Sequence, residues 1–250
     1  MSVLKNEFSD DKIKEIKNAI DRALDSSDHA KIAAFDADGT LWDTDLGENF
    51  FNYQIKNKLL NDLPENAWDY YHSMQSKDAP AAFLWLAQIN QGLPISTVRE
   101  WASLALTDLA PLPVFTWAKS IISYLLSQSV DVYIVTASVT WAVEPGARLL
   151  GVPIENVVGV QTAVNNGIIT AEPDGPITWR EGKVSALLQR TKNQSPFFSA
   201  GNTMGDLALL EAASHVRVVN CAAPDGDRNF ATEKKLLEIA KSKNWFYHQY

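Results

Sequence analysis

Lys31-Ile32-Ala33-Ala34-Phe35-Asp36-Ala37-Asp38-Gly39-Thr40-Leu41 is the stretch on which the reading of this chain turns. The apolar run 31–35 predicts a short strand, and it ends in two carboxylates one residue apart, followed at once by glycine. Alternation along an extended backbone sends Asp36 and Asp38 to the same side. Gly39 then lets the chain turn away, so that both crowd one small site. Two bare carboxylates at that spacing repel each other. A divalent cation such as Mg2+ removes the penalty and holds the pair ionised. A polar turn at a strand end uses the same residue types without chemistry, so the rest of the chain decides between the two.

Working outward, the flanking sequence falls into two patterns. Within 9–24, Ile13, Ile16, Ile20 and Leu24 recur at helical spacing behind a Ser-Asp-Asp start suited to capping. After the quoted stretch, 48–60, 64–74, 80–91 and 96–109 read as helices separated by Asn, Asp, Pro and Gly92-Leu93-Pro94, with no strand among them. Beyond Pro111-Leu112-Pro113, helices (114–127, 139–150, 182–189, 203–213) alternate with strands (130–135, 196–200, 215–219), and 157–161 with 167–171 reads as a strand pair about Asn165-Asn166-Gly167. This alternation predicts an α/β fold, a Rossmann-like, mostly parallel sheet covered by helices on both faces. Ligands in such a sheet collect at the carboxyl ends of the strands, where Asp36, Asp38, Thr136, Ser138, Asn202 and Asp206 all fall. The expected domains are an α/β core of 1–44 and 112–250 and a helical cap, 45–111, inserted after the first strand. The aromatic tail 244–250 is expected to pack back on the core or to meet a second subunit in a homodimer.

Composition narrows the function classes. A 250-residue chain that is 46% hydrophobic and 21% charged has the make-up of a globular enzyme with a large core. A formal net charge of -8, with no cluster of Lys and Arg, argues against nucleic acid as a partner but not against a small anion held in a locally positive site. Cys221 is the one cysteine, which excludes an intrachain disulfide and a thiolate metal cluster. The four histidines lack the close spacing of a zinc-binding helix and read as structural or exposed. No basic and apolar leader opens the chain and no apolar run is long enough for a membrane span, so a cytoplasmic location without a membrane partner is expected.

Four segments carry a resemblance. Phe-Asp-Ala-Asp-Gly-Thr-Leu at 35–41 resembles the first motif of the haloacid dehalogenase-like (HAD) hydrolase superfamily, whose usual members are Mg2+-dependent phosphatases. Thr136 at a strand end resembles the second motif, Lys183 in Trp179-Arg180-Glu181-Gly182-Lys183 the third, and Gly201-Asn202-Thr203-Met204-Gly205-Asp206 the fourth. They stand in the right order across nearly the whole chain, and the helical insertion and the hairpin before Lys183 are similar to the phosphoserine-phosphatase-like subgroup. The resemblance implies that Asp36 attacks phosphorus to give an aspartyl-phosphate, while Asp38 protonates the leaving oxygen and later activates water. It implies that Thr136 donates to a phosphoryl oxygen with Ser138 as auxiliary, and that Lys183 supplies positive charge. Mg2+ is then held by Asp36, the Asp38 backbone carbonyl, and oxygen from Asn202 or Asp206. One departure stands out: the subgroup usually has aspartate where this chain has Asn202, which offers an oxygen without charge.

The implied function is hydrolysis of a small phosphate monoester, a phosphorylated amine, amino alcohol or amino acid. Substrate-binding candidates are Asp45 and Glu48, near the place where a subgroup acid meets the substrate amine, and Arg99, the one arginine of the expected cap. Trp68, Tyr70, Tyr71, Phe83, Trp85 and Trp101 read first as the apolar core of the cap; with a carboxylate, such rings also suit a quaternary amine. Arg180 is read as a surface residue, and Trp141 and Trp179 as packing. A carbon–chlorine dehalogenase on this fold needs neither the cation nor the second aspartate, so Asp38 counts against it. Asn202 is the one feature favouring a protein that binds without turnover.

Overall fold

The computed structural model of the chain describes residues 8–26 and 28–249. Met1 to Glu7, the start of the stretch read as lacking a leader, and Tyr250 lie outside the described residues. The Ser9 hydroxyl accepts from the Lys12 N–H at 3.2 Å and opens α1 (Asp10–Leu24), which turns Ile13, Ile16, Ile20 and Ala23 inward. β1 (Ile32–Phe35) is buried throughout, and its side chains alternate between two layers. Ala33 and Phe35 enter the large apolar cluster with Ile16, Trp117 and Ile121, whereas Ala34 joins Val135, Leu187 and Leu209 on the other face.

Four helices follow, α2 (Leu46–Lys56), α3 (Ala67–Lys77), α4 (Ala79–Gln88) and α5 (Ile95–Leu109), before the chain returns to the sheet through α6 (Thr116–Ser127) and β2 (Asp131–Val139). Then come α7 (Thr140–Leu149), β3 (Val157–Val160), β4 (Thr162–Asn165), β5 (Ile168–Pro173), α8 (Glu181–Arg190), β6 (Phe198–Gly201), α9 (Leu207–Ala212), β7 (Val216–Cys221), α10 (Phe230–Ser242) and β8 (Phe246–Gln249). Six strands form one sheet in the order β3-β2-β1-β6-β7-β8, every pair parallel. The fold is a Rossmann-like α/β sheet flanked by helices, with an inserted helical region. From β1 the chain steps outward through β2 and β3, then restarts at β6 on the other side. Strand order therefore reverses between β1 and β6, and the crevice outside their carboxyl ends is the place for a ligand.

The inserted helices share a second apolar cluster, in which Phe50, Phe51, Tyr71, Leu86 and Val98 meet Val139, Trp141, Val160 and Ile169. Here the structure differs from the expected strand pair. Residues 157–160 join the main sheet beside β2, because Val-Val-Gly-Val is apolar on both faces, as a covered parallel strand must be. The hairpin is instead β4 with β5, turning through Asn166 (φ 53°) and Gly167 (φ 80°), the left-handed pair that a two-residue hairpin favours. It supports the insertion: Ile95 N–H donates to Gly167 O and Gly92 N–H to Ile169 O, both at 2.9 Å. The sequence reading also missed α10, and it stopped β2 at residue 135, where the strand runs irregularly on to Val139. The aromatic tail does pack back, as edge strand β8 beside β7.

Candidate active site

β1 carries its ladder one residue past its end, the Asp36 N–H donating to Ala200 O at 2.9 Å, and so fixes Asp36 at the mouth of the crevice. The turn that follows needs Gly39. Its φ of 79° is left-handed, and a Cβ there would lie 2.1 Å from Asn202 Nδ2. The loop after β6 can therefore press its asparagine against the loop after β1.

Lys183, in the first turn of α8, is 3% exposed and donates from Nζ to Asp36 Oδ1 at 2.5 Å and to Asp206 Oδ1 at 2.6 Å. Asp206 Oδ2 accepts the N–H groups of Asn202 at 3.1 Å and Thr203 at 2.9 Å. One ammonium thus ties three strand-end segments together. Burial pushes the Asp36 carboxyl up to about 7, the Asp206 charge adding to the shift and Lys183 opposing it. Burial alone would depress the Lys183 ammonium, but the charges of Asp206 and Asp36 outweigh it and raise the pKa.

Asp36 and Asp38 enter one cavity with different partners. Asp36 is held from the core, by Lys183 and by the Thr40 hydroxyl on Oδ2 at 2.8 Å. Asp38 is held by the loop after β1, the first residue of α2 and the end of β2, its Oδ1 accepting from Trp42 Nε1 at 2.7 Å and Leu46 N–H at 2.9 Å, and its Oδ2 from the Ser138 hydroxyl at 2.6 Å. Burial raises the Asp38 pKa against those three hydrogen bonds. The Ser138 hydroxyl is committed to Asp38, so the expected role as an auxiliary phosphoryl donor gives way to one of holding that carboxylate. Thr136, 1% exposed at the cavity floor, accepts the Ser138 N–H on Oγ1 at 3.0 Å, which leaves its own hydroxyl proton to donate.

The donor set fits a divalent cation. The Thr40 hydroxyl lies 2.8 Å from Asp36 Oδ2 and 3.3 Å from Asn202 Oδ1, which brings two oxygens of the kind a hard cation takes side by side. Asn202 Nδ2 is spent on Glu233 Oε1 at 2.8 Å, which orients the amide with its oxygen inward. Burial pushes Glu233 up to about 7. Asp36, Asp38, Asp206 and Glu233 face a single buried ammonium, and a 2+ ion is the complement such an excess of acid calls for. Asp206, both oxygens occupied, positions Lys183 and the loop. A separate group, Asp28, His29 and His215, brings three possible ligand atoms within 4.8 Å of one another, but it precedes β1 and β7, at the sheet's opposite end.

The cavity above these residues has a volume of 910 Å³ and is lined by eight carboxyl side chains against three cationic ones, Arg180, Lys183 and Arg228. Asp45 caps α2, its Oδ1 accepting the Glu48 N–H at 2.8 Å, and both acids face inward beside Trp68, Tyr71 and Phe83. Burial, followed by the charges of Asp38 and Glu48, raises the Asp45 pKa well above its ordinary value. Arg99 is not brought to the cavity. Its Nε and Nη2 fork onto Glu144 of α7 at 2.8 and 2.7 Å, an ion pair that staples α5 to the core. Three lining residues escaped the sequence reading. Arg180, expected at the surface, lines the cavity; it holds φ 50° at the start of α8 and stacks its guanidinium 4.1 Å from the Trp179 ring centre. Glu233 and Arg228 lie in 222–242, a stretch assigned no element; a strand-end loop rich in Pro, Asp and Gly was the available signal.

A profile of the haloacid dehalogenase-like hydrolases matches residues 33–211, well over half the chain. The chain belongs to the HAD-like hydrolases. Among characterised relatives, phosphorylcholine phosphatase of Pseudomonas aeruginosa is 23% identical over 68% of each chain. A protein of unknown function from Bordetella pertussis has the same fold, with a TM-score of 0.72 and 20% identity, covering 88% of this chain and 99% of its own. Substrate-bound phosphoserine phosphatase superposes with a TM-score of 0.52 and 15% identity over 86% of this chain and 99% of its own. Membership makes this HAD-like chain a hydrolase. No helix among its described residues is long and apolar enough to cross a membrane.

Proposed function

We propose that the chain is a Mg2+-dependent phosphatase acting on a small phosphate monoester whose alcohol carries a positive charge, by way of an aspartyl-phosphate on Asp36. The division of the two aspartates carries this reading: Asp36 is fixed by Lys183 and Thr40, and Asp38 by Trp42, Ser138 and the Leu46 N–H at the start of the insertion. A carboxylate oxygen of Asp36 attacks phosphorus as the ester bond breaks, and Asp38 gives its proton to the departing alcohol oxygen. Asp38, now a base, takes a proton from the water that cleaves the acyl-phosphate and returns Asp36 as a carboxylate. Lys183 opposes the protonation of Asp36 that burial favours and offsets charge on the phosphoryl oxygens, to which Thr136 donates. Asp36, Asn202 and the Asp38 backbone carbonyl would hold Mg2+, which would supply Lewis acidity and offset the negative charge of the phosphate in an acidic cavity.

The alcohol end meets Asp45 and Glu48 among Trp68, Tyr71 and Phe83, a setting that suits an ammonium group through charge and ring faces together. The name of the Pseudomonas relative supports that class. An amino alcohol is favoured over phosphoserine, because Arg99 is engaged by Glu144 and offers no grip on a carboxylate. Phosphate release from phosphorylated amines, amino acids and sugars, with Mg2+ and with excess chelator, tests the reading. Cationic esters should be preferred and chelation should abolish turnover, while Asp36→Asn should remove activity with folding intact. Preference for a phosphosugar would overturn the substrate class.

A further inference from the structure

The cation subsite already holds a cation of the protein's own. Arg228 projects from the loop between β7 and α10, its Nη1 donating to Glu48 Oε1 at 2.6 Å and its Nη2 to Asp45 Oδ2 at 3.3 Å. The two acids belong to the first turn of α2, so the contact spans the seam between the core and the inserted helices. The pair is asymmetric in exposure. The Glu48 and Asp45 side chains are 18% and 30% exposed, whereas that of Arg228 is 48% exposed. Carboxylates set side by side against aromatic rings do not both stay ionised without a cation, and Arg228 is the cation that faces them. A half-exposed guanidinium on a loop without regular structure is a weakly held one.

We propose that Arg228 is a resident counter-ion and latch: it fills the Asp45–Glu48 subsite between turnovers, and the positive group of the substrate replaces it there. The inference rests on the phosphatase reading and extends it by a residue that sets specificity through competition. A cationic ester exchanges one positive charge for another and keeps the acids paired. A neutral ester has nothing to offer them, leaves Arg228 in place and binds with the latch shut. Lysine at 228 would hold the acids with a compact point charge in place of the two-pronged fork, and so more loosely.

The test compares phosphocholine with 4-nitrophenyl phosphate on the Mg2+-loaded enzyme and its Arg228→Gln, Arg228→Lys and Glu48→Gln variants. The readout is the ratio of KM for the cationic ester to KM for the neutral one. Arg228→Gln should lower that ratio by about tenfold, the scale of one charge-assisted hydrogen bond, Arg228→Lys should lower it less, and Glu48→Gln should raise it. Tetramethylammonium, which carries no phosphate, should inhibit hydrolysis of the cationic ester competitively and more strongly in Arg228→Gln. A wild type that prefers cationic esters while Arg228→Gln leaves the ratio unchanged would overturn the latch alone. A ratio that rises in Arg228→Gln would make Arg228 a holder of substrate and overturn it equally. A wild type that turns over both esters alike would overturn the substrate class and the latch together.

Discussion

Asn202 departs from the aspartate expected at its position, and its surroundings give a reason. Its amide nitrogen donates to Glu233 Oε1 at 2.8 Å, so the carboxyl group missing at 202 lies one contact further out, where burial pushes its pKa up to about 7. Asn202→Asp should tighten Mg2+ binding by adding charge beside the ion. It should also lower metal-free stability by about 1–3 kcal/mol, because two buried carboxyls would meet where an amide and a carboxyl now pair. Adding Glu233→Gln exchanges the two groups and should restore the melting temperature. An unchanged Mg2+ concentration for half-maximal activity in Asn202→Asp would show that this oxygen does not reach the ion. At Cys221, burial followed by the Glu233 charge pushes the thiol from 9.0 up to about 12. The folded value exceeds the unfolded one, so the stability contributed by the neutral thiol is complete below 9.0 and lost as pH rises toward about 12. Native Cys221 should accordingly resist a thiol reagent near pH 8 and react on unfolding, and rapid labelling of the folded protein would contradict its burial.

At the scale of elements, the seam between the inserted helices and the core is held by particular ion pairs and by a hairpin. Arg99 of α5 forks onto Glu144 of α7, which is 2% exposed. Arg99→Ala leaves that carboxylate buried without its partner and should cost about 1–3 kcal/mol, read as a lower melting temperature. Because Arg99 stands away from the cavity, KM should move alike for cationic and neutral esters, and a selective rise for carboxylate-bearing esters would return it to substrate binding. The hairpin edge bonded to Gly92 and Ile95 holds the other side of the insertion. Residues 162–173 were legible as a turn, since Asn-Gly is the strongest local hairpin signal. The strand after the turn, read at 167–171, is β5, but the strand before it was not legible, because the apolar run 157–160 looks alike in a hairpin and in a covered sheet until its neighbours are known.

For the whole molecule, the topological switch between β1 and β6 gathers acids from distant parts of the chain, and their mutual repulsion is a standing cost in the metal-free protein. Mg2+ binds that arrangement and not the unfolded chain, so it should raise the melting temperature, and a phosphate mimic such as beryllium fluoride should raise it further by completing the site. Asp36→Asn should lose the second increment and keep part of the first. A thermal shift unaffected by Mg2+ would place the ion elsewhere.

Two carboxylates before a glycine at a strand end, strands alternating with helices, and an all-helical stretch between the first two strands were readable from the chain, because each is a local pattern of polarity and turn chemistry. Those patterns placed Asp36, Asp38, Thr136, Asn202 and Asp206 at strand ends before any fold was known, and the resemblance to the HAD motifs added Lys183. The pairing of Arg228 with Glu48, of Glu233 with Asn202, of Ser138 with Asp38 and of Arg99 with Glu144 was decided only by the tertiary structure. Each joins residues 31 to 180 positions apart or lying on different segments, and a charged side chain has the same local signature whether it faces water, a partner or a substrate. Packing alone brings the partner near, and with it the hydrogen bond that settles what the residue does.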